Sequence, residues 1–165
     1  MKLNNLINRI KQINPNIKFV GQFDGNNQRT GYWEEYYDNG NLKSKGYYQN
    51  GIEDGYWEKY FDNGNIWSKG NYINDIKHGY WEEYLWNGNL YSKGNYLNGL
   101  IDGYWEYYYS NGKIEAKRNF INGKRNGYWV EYWSNGNLKS KGNYLNGIQD
   151  GYWEDYWPNG NIMSK

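Results

Sequence analysis

From residue 19 onward, large aromatic or aliphatic residues alternate with polar ones in short stretches, the period-two pattern of half-buried β-strands. Tyr32, Glu34 and Tyr36 fall on one side of such a strand, Trp33 and Tyr37 on the other. The pattern also repeats. Gly-Tyr-Trp begins at Gly31, Gly55, Gly79, Gly103, Gly127 and Gly151, a constant step of 24 residues, and a half-unit at 19–30 precedes the first copy. Each unit divides two apolar runs by an Asn-Gly pair such as Asn39-Gly40, the strongest short-range mark of a tight hairpin.

With Asn39 and Gly40 as the two turn residues, Tyr37 faces Leu42, Tyr36 faces Lys43, Glu34 faces Lys45 and Trp33 covers Gly46. Alternation then gives a packed face of Trp33, Tyr37, Leu42, Ser44, Gly46 and Tyr48. The wetter face carries Tyr32, Glu34, Tyr36, Lys43, Lys45 and Tyr47. Segments such as Gln49 to Gly55, with a second Asn-Gly pair, read as longer loops between hairpins. The expected fold is all-β: a repeat solenoid of six 24-residue β-hairpins forming an elongated, twisted antiparallel meander of about thirteen strands. Residues 1–18 change pattern, with Leu3, Leu6, Ile7, Ile10 and Ile13 at helical spacing before Pro15, which predicts a short amphipathic helix capping the first open strand. The domains are therefore the helix at 1–18 and the array at 19–165.

Composition sharpens this picture. The chain has 165 residues, 21% aromatic with 10 Trp and 21 Tyr, yet a strongly polar mean hydropathy of −1.18. Tyr and Trp reconcile the two, since each has an apolar body and a polar handle. With no Cys and one His, neither a disulfide framework nor a Cys- or His-rich metal site is expected. Lys2, Arg9, Lys11 and Lys18 account for the net charge of +1 and leave the repeats slightly acidic, a poor footprint for binding nucleic acid. No unbroken apolar run long enough for a signal peptide or membrane span occurs, so a soluble, cytoplasmic protein is expected.

The stretch NGIEDGYWEKYFDNGNIWSKG and its copies resemble MORN repeats, in particular the variant of bacterial YwqK-type antitoxins; the likeness covers 19–165. The resemblance implies an antiparallel sheet serving as an interaction scaffold, with lipid binding proposed for some members and toxin neutralisation for the YwqK type. Asp75 in place of a loop glycine, Arg118 in place of a strand glycine and Val130 in place of the recurring Glu depart from the unit.

Chemistry is sparse. Glu34, Glu58, Glu82, Glu106 and Glu154 form a carboxylate ladder, but the register sets each against a lysine (Lys45, Lys69, Lys93, Lys117, Lys165), which favours structural pairing over acid-base catalysis. His78 reads as an exposed turn residue, and Asp62-Asn63-Gly64 lacks the spaced carboxylates of a calcium loop. No enzyme activity and no cofactor or metal are expected. The most varied strand position, Lys43, Trp67, Tyr91, Glu115, Lys139 and Met163, is read with Tyr36, Tyr60, Tyr84 and Tyr108 as a partner-binding stripe on the tyrosine face, anchored by Trp67 and Tyr91. Lys113, Lys117, Arg118, Lys124 and Arg125 form a second, basic candidate patch. The expected function is a protein-binding scaffold whose partner is another protein. Its alternatives are a membrane-peripheral adaptor, or a structural protein self-associating through an open C-terminal edge.

Overall fold

In the computed structural model, residues 17–164 are described, and they form antiparallel strands throughout. The helix predicted for 1–18 lies almost wholly outside the described residues, as does Lys165. Two compact units divide at Asp75 and Ile76. The first holds β1 (Phe19–Phe23), β2 (Arg29–Tyr36), β3 (Leu42–Gln49), β4 (Ile52–Glu53), β5 (Gly55–Tyr60) and β6 (Ile66–Ile73). Here β1, β2, β3, β5 and β6 are neighbours in that order, and β4 adds to β3 as the first piece of a strand interrupted at Asp54. The second unit is an uninterrupted meander of β7 (Ile76–Tyr84), β8 (Leu90–Leu97), β9 (Leu100–Tyr108), β10 (Ile114–Ile121), β11 (Lys124–Tyr132), β12 (Leu138–Leu145), β13 (Ile148–Tyr156) and β14 (Ile162–Ser164).

The register in the strand bodies is the expected one, with Trp33 opposite Gly46, Glu34 opposite Lys45 and Glu35 opposite Ser44. The turns are assigned the other way round. At Asn39-Gly40 only the glycine has positive φ (83°), Gly40 N–H donates to Tyr37 O, and Tyr37 N–H donates to Asn41 O, so the loop has three residues instead of two. The true two-residue turns are at Asn50-Gly51 and its equivalents, where both residues have positive φ (53° and 79°) and Gln49 pairs with Ile52. The three-residue loop starts the ladder one position out of phase, and a bulge restores it: Tyr36 pairs with Leu42 and Glu35 with Ser44, leaving Lys43 unpaired.

A second irregularity bends the strands. In the second unit Lys93 pairs with Glu106 but Asn95 with Asp102, so Gly103, Tyr104 and Trp105 stand opposite Gly94 alone. Gly103 has φ of 70°, a conformation open to glycine. The bend is visible in ion pairs along a single strand. Lys77 Nζ lies 2.8 Å from Glu83 Oε1, six residues away, whereas a straight strand would separate them by about 20 Å. Trp81 lies in the elbow, with Lys77 Nζ 4.4 Å from its ring centre.

The core is therefore one indole per bend. Trp33, Trp57, Trp81 and Trp105 are each 1% exposed. Trp33, Trp57, Trp105 and Trp153 lie flat on a glycine of the preceding strand, not on the hairpin partner as the sequence register implied: Gly21 beneath Trp33, Gly46 beneath Trp57, Gly94 beneath Trp105 and Gly142 beneath Trp153. A tyrosine ring closes each side, as where Tyr48 stands 4.9 Å edge-on to Trp57. Arg118 fills the glycine position before Trp129; there Nε1 of the indole donates to Glu131 Oε1 at 3.2 Å, where Trp105 Nε1 donates to the main-chain oxygen of Asn95.

Candidate functional site: the tyrosine face and the bulge column

On the face away from the indoles, each recurring glutamate is clamped by the tyrosines two residues before and after it. Tyr104 donates to Glu106 Oε1 at 3.0 Å and Tyr108 to Oε2 at 2.6 Å; Tyr32 and Tyr36 hold Glu34, Tyr56 and Tyr60 hold Glu58, and Tyr152 and Tyr156 hold Glu154 in the same way. Alternation puts all three side chains on one face, so the clamp is a property of a single strand. A lysine completes it, but from the preceding strand: Lys93 to Glu106 at 2.8 Å, Lys45 to Glu58 at 2.6 Å and Lys141 to Glu154 at 2.7 Å. The sequence register had paired Lys45 with Glu34 and Lys93 with Glu82. These lysines do stand opposite those residues in the ladder, yet their ammonium groups reach the carboxylate on the other flank.

The clamps set the local charge. Burial raises the pKa of Glu106, but hydrogen bonds from Lys93, Tyr108 and Tyr104 outweigh it and pull the value down to about 2. Glu154 is lowered to about 2, chiefly by its hydrogen bond from Lys141 and then by Tyr156. Burial, and then donation to Glu106, push the Tyr104 phenol up to about 12. These carboxylates are fixed as anions, which opposes a role as proton carriers near neutrality. In the second unit the tyrosines at the outer end of each clamp position, Tyr80, Tyr104, Tyr128 and Tyr152, expose 49, 46, 50 and 60% of their surface.

The variable stripe is the bulge column. In every unit the residue left unpaired is the one the sequence marked as most varied: Lys43, Trp67, Tyr91, Glu115, Lys139 and Met163. One extra residue reverses side-chain parity, so the stripe lies on the indole side and not on the tyrosine face where alternation had placed it. Tyr91 contacts Tyr107 (6.3 Å between ring centres), Trp67 contacts Phe61 (6.2 Å), and Lys139 Nζ lies 3.4 Å from Glu131 and over the Trp133 ring. Leu42 correspondingly moves to the tyrosine face, beside Tyr36. Trp67, Tyr91 and Met163 are 50, 41 and 44% exposed. Tyr36, Tyr60, Tyr84 and Tyr108 are clamp residues with engaged hydroxyls.

The basic candidates do not form one patch. Lys117 stands on the tyrosine face; Arg118 lies on the indole face, bound to Glu131 at 2.7 Å and stacked on Tyr107 and Trp129. Lys113 donates to Asn135 O at the three-residue turns, while Lys124 and Arg125 lie beside the two-residue turn at the opposite strand end. His78 is half-buried within β7 and is no turn residue. Sequence reasoning missed the series Glu35, Lys59, Glu83 and Glu131, which forms ion pairs over the indoles: Arg29 with Glu35, Lys59 with Glu53, and Lys77 with Glu83. Its signal was present as a charge swap six residues apart, Arg-Glu in one copy and Glu-Lys in the next.

The MORN repeat variant matches residues 29–50, 53–74, 101–122, 125–146 and 149–165, more than half of the chain. The chain belongs to the MORN repeat family. MORN repeats are generally protein- or lipid-binding motifs, and proteins built from them are generally scaffolds without catalysis. No curated protein matches the chain closely enough to count as a relative. Among the described residues no helix is long and apolar enough to cross a membrane.

Proposed function

We propose that this MORN-repeat protein is a non-enzymatic scaffold that binds another protein through its tyrosine face. One observation carries the reading: in the second unit Tyr80, Tyr104 and Tyr152 are about half exposed while their hydroxyls are held by Glu82, Glu106 and Glu154. Rings already fixed in place lose little rotamer freedom on binding, which is what makes an aromatic side chain an effective contact anchor. Neutralising a toxin by direct binding is the specific form suggested by the resemblance to YwqK-type repeats.

Capture of partners by the intact protein, followed by identification of what co-purifies, tests the reading. Tyr104→Ala combined with Tyr152→Ala should weaken a captured partner at least tenfold with the β-sheet circular dichroism retained. Loss of the partner in Trp67→Ser combined with Tyr91→Ser, but not in the tyrosine variant, would move recognition to the bulge column. Capture of anionic vesicles and of no protein would overturn the protein-binding reading.

A further inference from the structure

The clamp is a repeated chemical site, and the fifth copy lacks its central carboxylate. Val130 stands where the other units have Glu34, Glu58, Glu82, Glu106 and Glu154. The donors around it are unchanged: Tyr128 and Tyr132 flank it on β11, and Lys117 stands opposite on β10, as Lys93 stands opposite Glu106. Among the described residues no hydrogen bond or ion pair engages the hydroxyls of Tyr128 and Tyr132 or the ammonium of Lys117. In the fourth copy the same three donors converge on one carboxylate, at 3.0, 2.6 and 2.8 Å. Sister positions within this one protein therefore show what the set is built to hold.

Size and charge agree. A valine side chain ends one carbon short of the carboxyl carbon of glutamate and carries no acceptor, so Val130 leaves the donors around it without the group that the sister copies supply. Val130 itself is 4% exposed, an apolar floor that strengthens hydrogen bonds made over it. Lys117 and Lys141 face Val130 from both neighbouring strands, and of the two only Lys141 has a carboxylate partner, Glu154. A depression of about 370 Å³ beside Tyr128, lined by Lys141, Asn143, Tyr152, Asp150 and Glu154, leaves room for the chain that carries such a group; Glu154 there is already neutralised by Lys141.

We infer that Tyr128, Tyr132 and Lys117 form a receptor for a carboxylate, supplied by an acidic side chain of the protein partner, which takes the place of the missing glutamate. This deepens the scaffold reading and rests on it for the source of the carboxylate. Charge-assisted hydrogen bonds from one lysine and two phenols give the site its selectivity for an anion.

The test is titration of the intact protein with an amidated hexaglutamate peptide, followed by isothermal calorimetry and the amide NMR shifts of β10 and β11, with a hexaglutamine peptide as control. Val130→Glu supplies the carboxylate in cis. It should fold normally, since five sister copies carry that residue, and should reduce peptide affinity at least tenfold. Lys117→Gln should do the same, whereas Lys113→Gln should change it less than twofold. Equal affinity in wild type and Val130→Glu would overturn the site, because attraction would then be diffuse charge; the scaffold reading would stand or fall separately, on partner capture. Binding of phosphatidylserine vesicles, abolished by Val130→Glu, without binding of the peptide would assign the pocket to lipid headgroups and overturn the protein source.

Discussion

Gly94→Ala tests the packing principle most directly. A Cβ at this position would stand 2.3 Å from Cδ2 and 2.5 Å from Cε2 and Cγ of Trp105, where carbon atoms settle at about 3.5–4.0 Å. The indole must retreat by more than 1 Å from a site where it is 1% exposed, donates from Nε1 to Asn95 O at 3.0 Å, and meets Tyr96 edge-on at 5.1 Å. Overpacking of this kind costs about 1–3 kcal/mol. The strained indole hydrogen bond adds about 0.5–1.5 kcal/mol, for a total of about 1.5–4.5 kcal/mol. Repeat arrays unfold piecewise, so a global midpoint alone is a blunt measure. Urea unfolding followed by tryptophan fluorescence should be combined with hydrogen exchange at the amides of β8 and β9, where protection should fall most. Gly25→Ala is the control, because its Cβ meets nothing within 4 Å, and its effect should stay within about 0.5 kcal/mol. A Gly94→Ala protein with unchanged midpoint and unchanged protection would show that the indole does not depend on bare backbone beneath it.

Three further outcomes are expected. Deleting residues 103–126, one whole period, should preserve the β-sheet circular dichroism better than deleting 103–114, and equal tolerance of both would contradict the register. The lowered pKa values of Glu106 and Glu154 mean that the stability they contribute is present above the ordinary glutamate range and is lost as pH falls toward about 2, while the raised value of Tyr104 makes its contribution disappear as pH rises from about 10 to about 12; thermal midpoints across pH should show both slopes, and Glu106→Gln should flatten the acid one. Asp75 holds φ of 62° in place of glycine, and its carboxylate accepts from Glu53 N–H at 2.6 Å; Asp75→Ala loses that bond while keeping the strain and should cost about 1–2 kcal/mol, whereas Asp75→Gly exchanges one for the other and should stay within about 0.5 kcal/mol, as read by chemical denaturation.

The parts legible in the sequence were those fixed by periodicity. A 24-residue step with alternating residues gives strands, and Glu34 opposite Lys45 and Trp33 opposite Gly46 follow from symmetry about the Asn-Gly turn. What alternation could not show was any event that changes parity. Asn-Gly is compatible with both a two-residue turn and a three-residue loop ending in a positive-φ glycine, so the two strand ends look alike in sequence while folding differently. The extra residue of the longer loop is absorbed at Lys43, and a side chain assigned to one face emerges on the other. The bend at Gly31 was hidden for a related reason: a positive-φ glycine reads as a turn, whereas here it folds a strand over its own indole. The alternating signs of residues 29 and 35, 53 and 59, and 77 and 83 would have revealed that bend, because charges six positions apart have no reason to complement each other along a straight strand.

The unpaired bulge residue separates two demands that a protein chain ordinarily imposes on the same side chain. Most of what holds one repeat to the next is written elsewhere in the 24 residues: indole on glycine, lysine on glutamate, turn on turn. Lys43, Trp67, Tyr91, Glu115, Lys139 and Met163 occupy the one strand position whose ladder partner is missing, and a cation, two aromatic residues, an anion and a thioether are all accommodated there. The array therefore behaves like a printed line with one blank per word. Its grammar is fixed by geometry, its length grows by whole words, and the letter set in each blank can be rewritten without disturbing the sentence around it.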